Sequence, residues 1–398
     1  MSFSVPTNLH ADLPLYLSSL NTGGEIQEVY GKLPVDDLGG GRSSFPLCQI
    51  SQTAFESHVR ELQRAGFRFN YLLNALCMDN TESTSEGRKK IHILLDWIAG
   101  LGIERVTVSN PVLFTMIKER YPHFQVCVSA VANVNSPRRA RYWESLGAES
   151  ITLPGYNACR NRSFLVSMRQ SVRCSLQLIV NDACQFQCPL YIYHYCRESH
   201  ASQSRHSLRG YSLDYCFIMC RFNRLRDKVN FIRSNWIRPE DIGYYERLGV
   251  DSFKIVDRRL PTGILTNILN AYVRDGLYEG NLLDLLPVFH GRTFNAHKDW
   301  KRRVFLLRNL LHVDFFETVR FMKLFDAVDM NVDNAALNGF LENMPADCDG
   351  NSCDSCSYCR DAAEKSVIVD EKYRVRLLST VERLLKNTWG LGYESVSR

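Results

Sequence analysis

One unit recurs along this chain and limits what it can fold into: an amphipathic helix, a Leu-Gly or Ala-Gly stop, then a short β-rich run. It appears as VRELQRAGFRFNYLL, LLDWIAGLGIERVTV, YWESLGAESITL and YYERLGVDSFKIV. Gly66, Gly102, Gly147 and Gly249 stand where a helix ends on a residue in the left-handed region. The runs that follow, at 69–73, 105–109, 151–153 and 253–256, are rich in Val, Ile and Phe, like strands buried on both faces of a parallel sheet. EIQEVYGKL, QVCVSAVANV and LQLIVND supply further strands, EIQEVYGKL being the first of the series. Seven or eight such units in about 290 residues predict an α/β fold, a TIM-like (β/α) barrel rather than an open doubly wound sheet. No GxGxxG or GxxxxGK[ST] loop is present, which argues against dinucleotide and P-loop chemistry.

The pattern changes near residue 300. A basic helical stretch, WKRRVFLLRNLLHVDFFETVRFMKLF, leads through Asp- and Asn-rich sequence to CDGNSCDSCSYC, and an amphipathic helix follows near 375–385. The expected organisation is a barrel over residues 1–300 with a cysteine-bearing insertion at 182–236. A mainly helical, cysteine-rich extension over 301–398 would pack on that barrel, with its cysteine cluster at 348–359.

Composition fits a globular chain with a sizeable core: 398 residues, 45% apolar, 23% charged. Apolar runs break well short of a membrane span, and the N-terminus has neither a basic leader nor a clean hydrophobic segment, so a cytoplasmic protein is expected. A reducing compartment turns the 14 cysteines away from a disulfide framework and toward metal ligation, catalysis or burial. Net charge of +5 does not announce nucleic acid. The arginine clusters SPRRARY, RFNRLRDK, DRR and WKRRV read either as solvated helix faces or as a local patch for an anionic ligand.

Asn74, Asn110, Asn133 and Asn181 fall at or just past the C-terminal ends of proposed strands, the barrel face on which sites are built. They are candidate binding groups, Asn181 also a catalytic one, although Asn is common in loops for its own reasons. Lys254 lies within an apolar strand and must point into the barrel. There it needs an anionic substrate or an ion-pair partner such as Asp257, and it is a candidate catalytic residue. Arg238 is a further candidate for substrate binding.

The cysteines form two sets. Cys184 and Cys188 directly follow a strand and are matched by Cys216 and Cys220, each pair spaced C-x3-C. Two close pairs joined by a long loop suit a four-thiolate site, whether zinc or a 4Fe–4S cluster. Cys348, Cys353, Cys356 and Cys359 make a compact second set that could hold a cluster of its own. Cys48, Cys77, Cys127, Cys159 and Cys174 stand singly and read as small buried hydrophobes. Cys196, near the first set, stays ambiguous. His194, His200 and His206 lack helical metal-ligand spacing. Either of the first two could serve as acid or base beside the thiols, or be a hydrogen-bonded loop histidine.

Taken in order, NYLLNALC, EGRKKI, LIVNDACQFQCP, SHASQ, DYCFIMC, SNWIRPEDI, FKIVDR, GNLLDLL and CDGNSCDSCSYC resemble the U-32 family of collagenase-like peptidases, over about residues 25–370. The resemblance implies a barrel-like core and a 4Fe–4S cluster on four central cysteines, best matched here by Cys184, Cys188, Cys216 and Cys220. This chain departs from better-known branches in its cysteine spacing and its C-terminal quartet. The family label implies proteolysis, yet HExxH and GxSxG are absent. Other branches are oxygen-independent hydroxylases of RNA cytidines or of the ubiquinone ring, with prephenate implied as oxygen donor. The leading expectation is therefore an iron–sulfur hydroxylase acting on a small-molecule or carrier-bound intermediate. A peptidase and a non-catalytic iron–sulfur partner subunit are the alternatives. RNA ranks lower as a substrate, because neither a strongly basic balance nor an RNA-binding module is evident.

Overall fold

In the computed structural model, eight parallel strands close into a barrel in sequence order. They are β1 (Phe3–Pro6), β2 (Ile26–Gly31), β3 (Arg68–Leu73), β4 (Arg105–Val108), β5 (Gln125–Val128), β6 (Ser150–Thr152), β7 (Ser175–Ile179) and β8 (Ser252–Lys254). The structure describes residues 1–290, 315–324, 329–345, 348–353 and 355–392. Closure is made by β1 against β8, pairing Phe3 with Phe253 and Ser4 with Lys254. The TIM-like barrel read from the repeats is therefore the fold. Its first strand, however, is not EIQEVYGKL but FSVP, four buried residues that carry no periodicity of their own.

The predicted glycine stops are all in place: Gly66, Gly102, Gly147 and Gly249 have φ of +88°, +70°, +92° and +90°. Each lets the chain leave a helix and turn directly into the next strand. The core between staves and helices is aromatic-rich. Phe55, on the Gln52–Arg64 helix, is fully buried with its ring centroid 5.7–5.9 Å from those of Phe69, Tyr71 and Trp97.

After β7 the chain rises into the insertion, with helices Tyr191–His200, Tyr215–Arg226 and Val229–Ile232. The C-terminal segment packs on this insertion. Helix Tyr358–Ser366 lies on Val229–Ile232, and helix Glu371–Trp389 lies on Tyr215–Arg226. The segment is mainly helical, as expected, and also contains an antiparallel strand pair, β9 (Met330–Val332) with β10 (Val367–Val369). At three residues each, these strands are too short to show alternation in sequence. Residues 300–314 of the expected basic helix lie outside the described residues, and Phe315–Lys323 is helical. Among the described residues no helix is long and apolar enough to cross a membrane.

Candidate active site at the barrel mouth

The end of β7 is pinned before the first cysteine pair begins. The fully buried Asn181 accepts from Val256 N at 2.8 Å, and its Nδ2 donates to Val256 O and, at 3.3 Å, to Leu285 O. Its amide is spent tying β7 to the chain leaving β8. Cys184 and Cys188 follow in the next turn. Cys216 and Cys220 lie on helix Tyr215–Arg226, where a C-x3-C spacing puts both side chains on one face. Asp214 caps that helix by accepting from Phe217 N at 3.1 Å.

All four thiols line one cavity of about 90 Å3. Arg42, Arg221, Arg224 and Arg259 line the same cavity, together with the carboxylates of Asp182, Glu198 and Asp214. Burial pushes the Cys184 thiol well above its ordinary value, against the pull of Arg224 and Arg42. A hydrogen bond between Cys188 and Cys220, and then burial, raises Cys220; the same bond lowers Cys188 against the effect of burial. Four thiols in one cavity are a donor set of the kind that zinc or a four-cysteine iron–sulfur cluster takes.

His194 lies in helix Tyr191–His200 rather than in a loop, and it reaches this cavity. Its Nδ1 is 3.6 Å from Asp214 Oδ1, and the ligand atoms of His194, Asp214 and Cys216 all fall within 4.8 Å. Burial works against its charge, but Asp214 and then Cys216 outweigh it and raise the imidazole to about 10. Asp214 is further held by Arg197 at 2.8 Å.

A second cavity, about 70 Å3, occupies the barrel lumen below the first and shares Arg42 and Tyr195 with it. Lys254 points into it as expected, its Nζ 3.8 Å from the centre of the Tyr30 ring. The partner expected for it, Asp257, is bound instead to Arg42 at 3.1 Å and Arg259 at 2.8 Å. Asn74 also lines the lumen, accepting from Gly41 N at 3.1 Å and donating to Ser129 Oγ at 3.2 Å.

The remaining candidates stand elsewhere. Asn110 caps helix Pro111–Arg120, accepting from Val112 N and Leu113 N at 2.8 and 3.1 Å. Asn133 accepts from the Tyr156 hydroxyl at 2.8 Å, and His200 ends its helix; neither lines a cavity described above. Arg238 grips Asp241 through two bonds of 2.7 and 2.8 Å and reaches Asn334 O and Asn338 Oδ1, both at 3.1 Å. It ties the C-terminal segment to the barrel. Cys348, Cys353, Cys356 and Cys359 do not line the thiol cavity, and their segment is bonded to the insertion. Gln187, the neighbour of Cys188, donates to Asp349 O, and Arg233 donates to Cys353 O at 2.7 Å. Burial and the neighbouring thiols push Cys348 up to about 11.

The sequence reading left out Arg42, Tyr195 and the glycine run before Arg42. Gly39 has φ of +75°, and a Cβ there would meet Ser199 O at 2.8 Å, so the loop carrying Arg42 can approach this closely only as glycine. LGGGR was the available signal. DRR was noticed, and it proves buried at the mouth rather than on a solvated helix face, with Arg258 7% exposed.

The sequence profile of peptidase family U32 matches residues 45–276, more than half of the chain. The chain belongs to the U32 peptidase family. A U32 relative in Methanocaldococcus jannaschii, named an uncharacterized protease, is 29% identical over 347 residues, covering 87% of this chain and 90% of its own. A solved U32 peptidase structure is 19% identical with a TM-score of 0.48, covering 65% of this chain and 93% of that one. A thiamine phosphate pyrophosphorylase from Pyrococcus furiosus aligns at 11% identity and a TM-score of 0.34, over 70% of this chain and 97% of its own. U32 is an enzyme family by its label, and Cys184, Cys188, Cys216 and Cys220 lie within the matched span.

Proposed function

We propose that this U32 chain is an iron–sulfur-dependent, oxygen-independent hydroxylase acting on a small-molecule or carrier-bound intermediate, with prephenate as the candidate oxygen donor. One observation carries the reading: two C-x3-C pairs from separate segments line a single cavity that adjoins a cationic lumen through Arg42 and Tyr195. Cys184, Cys188, Cys216 and Cys220 would hold the cluster. When bound, it supplies redox-active, Lewis-acidic iron, the chemistry that oxygen transfer without dioxygen calls for. His194, held charged by Asp214, sets the electrostatics beside Cys216. The aromatic wall of Tyr191 and Tyr195, with ring centroids 4.8 Å apart, limits water at the thiols. The C-terminal quartet would hold a second cluster, for electron transfer or for structure.

The test is anaerobic turnover. The iron-loaded chain is incubated with prephenate and an aromatic acceptor, and prephenate consumption is followed beside gelatin cleavage. Loss of prephenate consumption on iron chelation, with no effect of protease inhibitors, is the expected result. Gelatin cleavage by iron-free protein would replace this reading with the peptidase one.

A further inference from the structure

Lys32 and Lys254 are the buried lysines among the described residues, and they are held differently. Lys32 is in an ordinary buried ion pair: its Nζ is 2.8 Å from Asp36 Oδ2 and donates to Gly39 O at 2.7 Å. Lys254 closes β8 at its C-terminal end, where barrels carry their reacting groups. Its Nζ faces the lumen cavity and lies 3.8 Å from the centre of the Tyr30 ring, with no carboxylate in ion-pair contact among the described residues. Glu28 acts on it from further away, but Glu28 is itself bound by Arg105 at 2.9 Å, by the Ser4 hydroxyl and by the Asn70 amide. Burial holds the Lys254 ammonium down at about 8, with Glu28 and Cys127 opposing and Arg258 and Arg105 adding to the effect. Close to neutral pH a sizeable share of this side chain is therefore free amine.

A hydroxyl stands in the same cavity. Ser129, just past the end of β5, accepts from Asn74 Nδ2 at 3.2 Å and from Val131 N at 3.3 Å. Its own hydrogen is donated to no described residue, so it is available to an incoming oxygen. Leu72, Ile179 and Val256 add apolar wall, which favours the uncharged amine.

We propose that Lys254 is a nucleophilic amine that captures the carbonyl carbon of a small aldehyde or ketone as a Schiff base, with the Ser129 hydroxyl donating to the carbonyl oxygen. The nitrogen lone pair forms the C–N bond while the carbonyl π pair moves to oxygen. Both amine protons then leave with that oxygen as water, and C=N remains. No electrons are gained or lost, so the step needs neither oxidant nor reductant. The cavity of about 70 Å3 takes roughly five to seven water-sized atoms, which sets the size of the ligand. Lys32, fixed in its ion pair, has no such role. This inference goes beyond the hydroxylase reading and depends on no cluster.

The experiment is labelling of the full chain with acetylacetone, a β-diketone that converts a free amine into an ultraviolet-absorbing enaminone. The labelled positions are mapped by peptide mass, and iron is counted on the same sample. At pH 8 Lys254 should react at least tenfold faster than the exposed Lys89, because about half of it is free amine against about 1% or less of an ordinary lysine. Its rate should level off above about pH 8, while that of Lys89 keeps rising beyond about pH 10. Lys254→Met should lose this label and keep those on Lys89 and the Met1 amine. Ser129→Ala should slow capture severalfold without moving the pH midpoint. If Lys254→Met fails to fold, the parent's own map decides, since Lys254 and Lys89 are compared within one chain. Labelling of Lys254 no faster than Lys89, or a Lys254 rate that keeps climbing to pH 10, would overturn the assignment. Labelling as expected in a chain without iron would keep this site and sink the hydroxylase reading. Iron and sulfide at full content without Lys254 labelling would do the reverse.

Discussion

Arg42 Nε lies 3.1 Å from Asp257 Oδ2, and this ion pair stands where the thiol cavity meets the barrel lumen. Asp257 is 1% exposed and also holds Arg259, so its carboxylate organises the whole mouth. Burial opposes its ionisation, but Arg259 and Arg42 hold the group far below the usual carboxylate range. Arg42→Met leaves Arg259 in place and should cost roughly 1.5–3 kcal/mol in urea denaturation. Asp257→Asn strips the counter-charge from both arginines and should cost more, about 3–5 kcal/mol. Equal losses in the two variants would contradict this ordering.

Arg238 and Asn181 are expected to behave as structural braces. Arg238→Ala leaves Asp241 buried without its partner and should destabilise by about 3–5 kcal/mol. Asn181→Ala orphans the backbone of Val256 and should cost about 1–3 kcal/mol. Urea denaturation of both variants checks these losses, and a loss below about 1 kcal/mol in either would contradict its bracing role.

Lys254 gives the fold a pH signature. Burial holds its ammonium down at about 8, with Glu28 and Cys127 opposing and Arg258 adding to the effect. Between about pH 8 and the unfolded value of 10.5, the unfolded chain binds the proton and the folded chain does not, so stability rises with pH across that window. At pH 7 the full cost is present. Lys254→Met should therefore be more stable than the parent at pH 7, with the advantage shrinking from pH 8 to 10.5. A constant stability difference from pH 7 to pH 11 would contradict the assignment.

The barrel wall has its own test. Phe55 is fully buried among Phe69, Tyr71 and Trp97, and Phe55→Ala should cost about 3–5 kcal/mol in chemical denaturation. A loss below 1 kcal/mol would mean that this cluster does not anchor the helix to the sheet.

The barrel was legible because its stops are local: each glycine's handedness is required by the turn that it makes, whatever surrounds it. The thiol pairs were legible because spacing on a helix or a turn survives without tertiary information. The amides at the strand ends were not. Asn74, Asn110 and Asn181 follow strands in the same way, yet one lines the lumen, one caps a helix and one clamps two strands. Their roles depend on partners far away in sequence, such as Gly41 and Val256. Arg42 escaped for the same reason: it is brought to the mouth by the loop after β2, far away in sequence from the cysteines. FSVP was missed because a four-residue strand has no period to read.

The most direct test of the central claim is metal and sulfide content. The chain would be purified anaerobically, with iron, zinc and acid-labile sulfide counted per chain, beside Cys184→Ala/Cys188→Ala and Cys353→Ala/Cys356→Ala variants. About eight irons with matching sulfide, halved by either double variant, is the predicted result for one cluster per quartet. Zinc with no labile sulfide would contradict it.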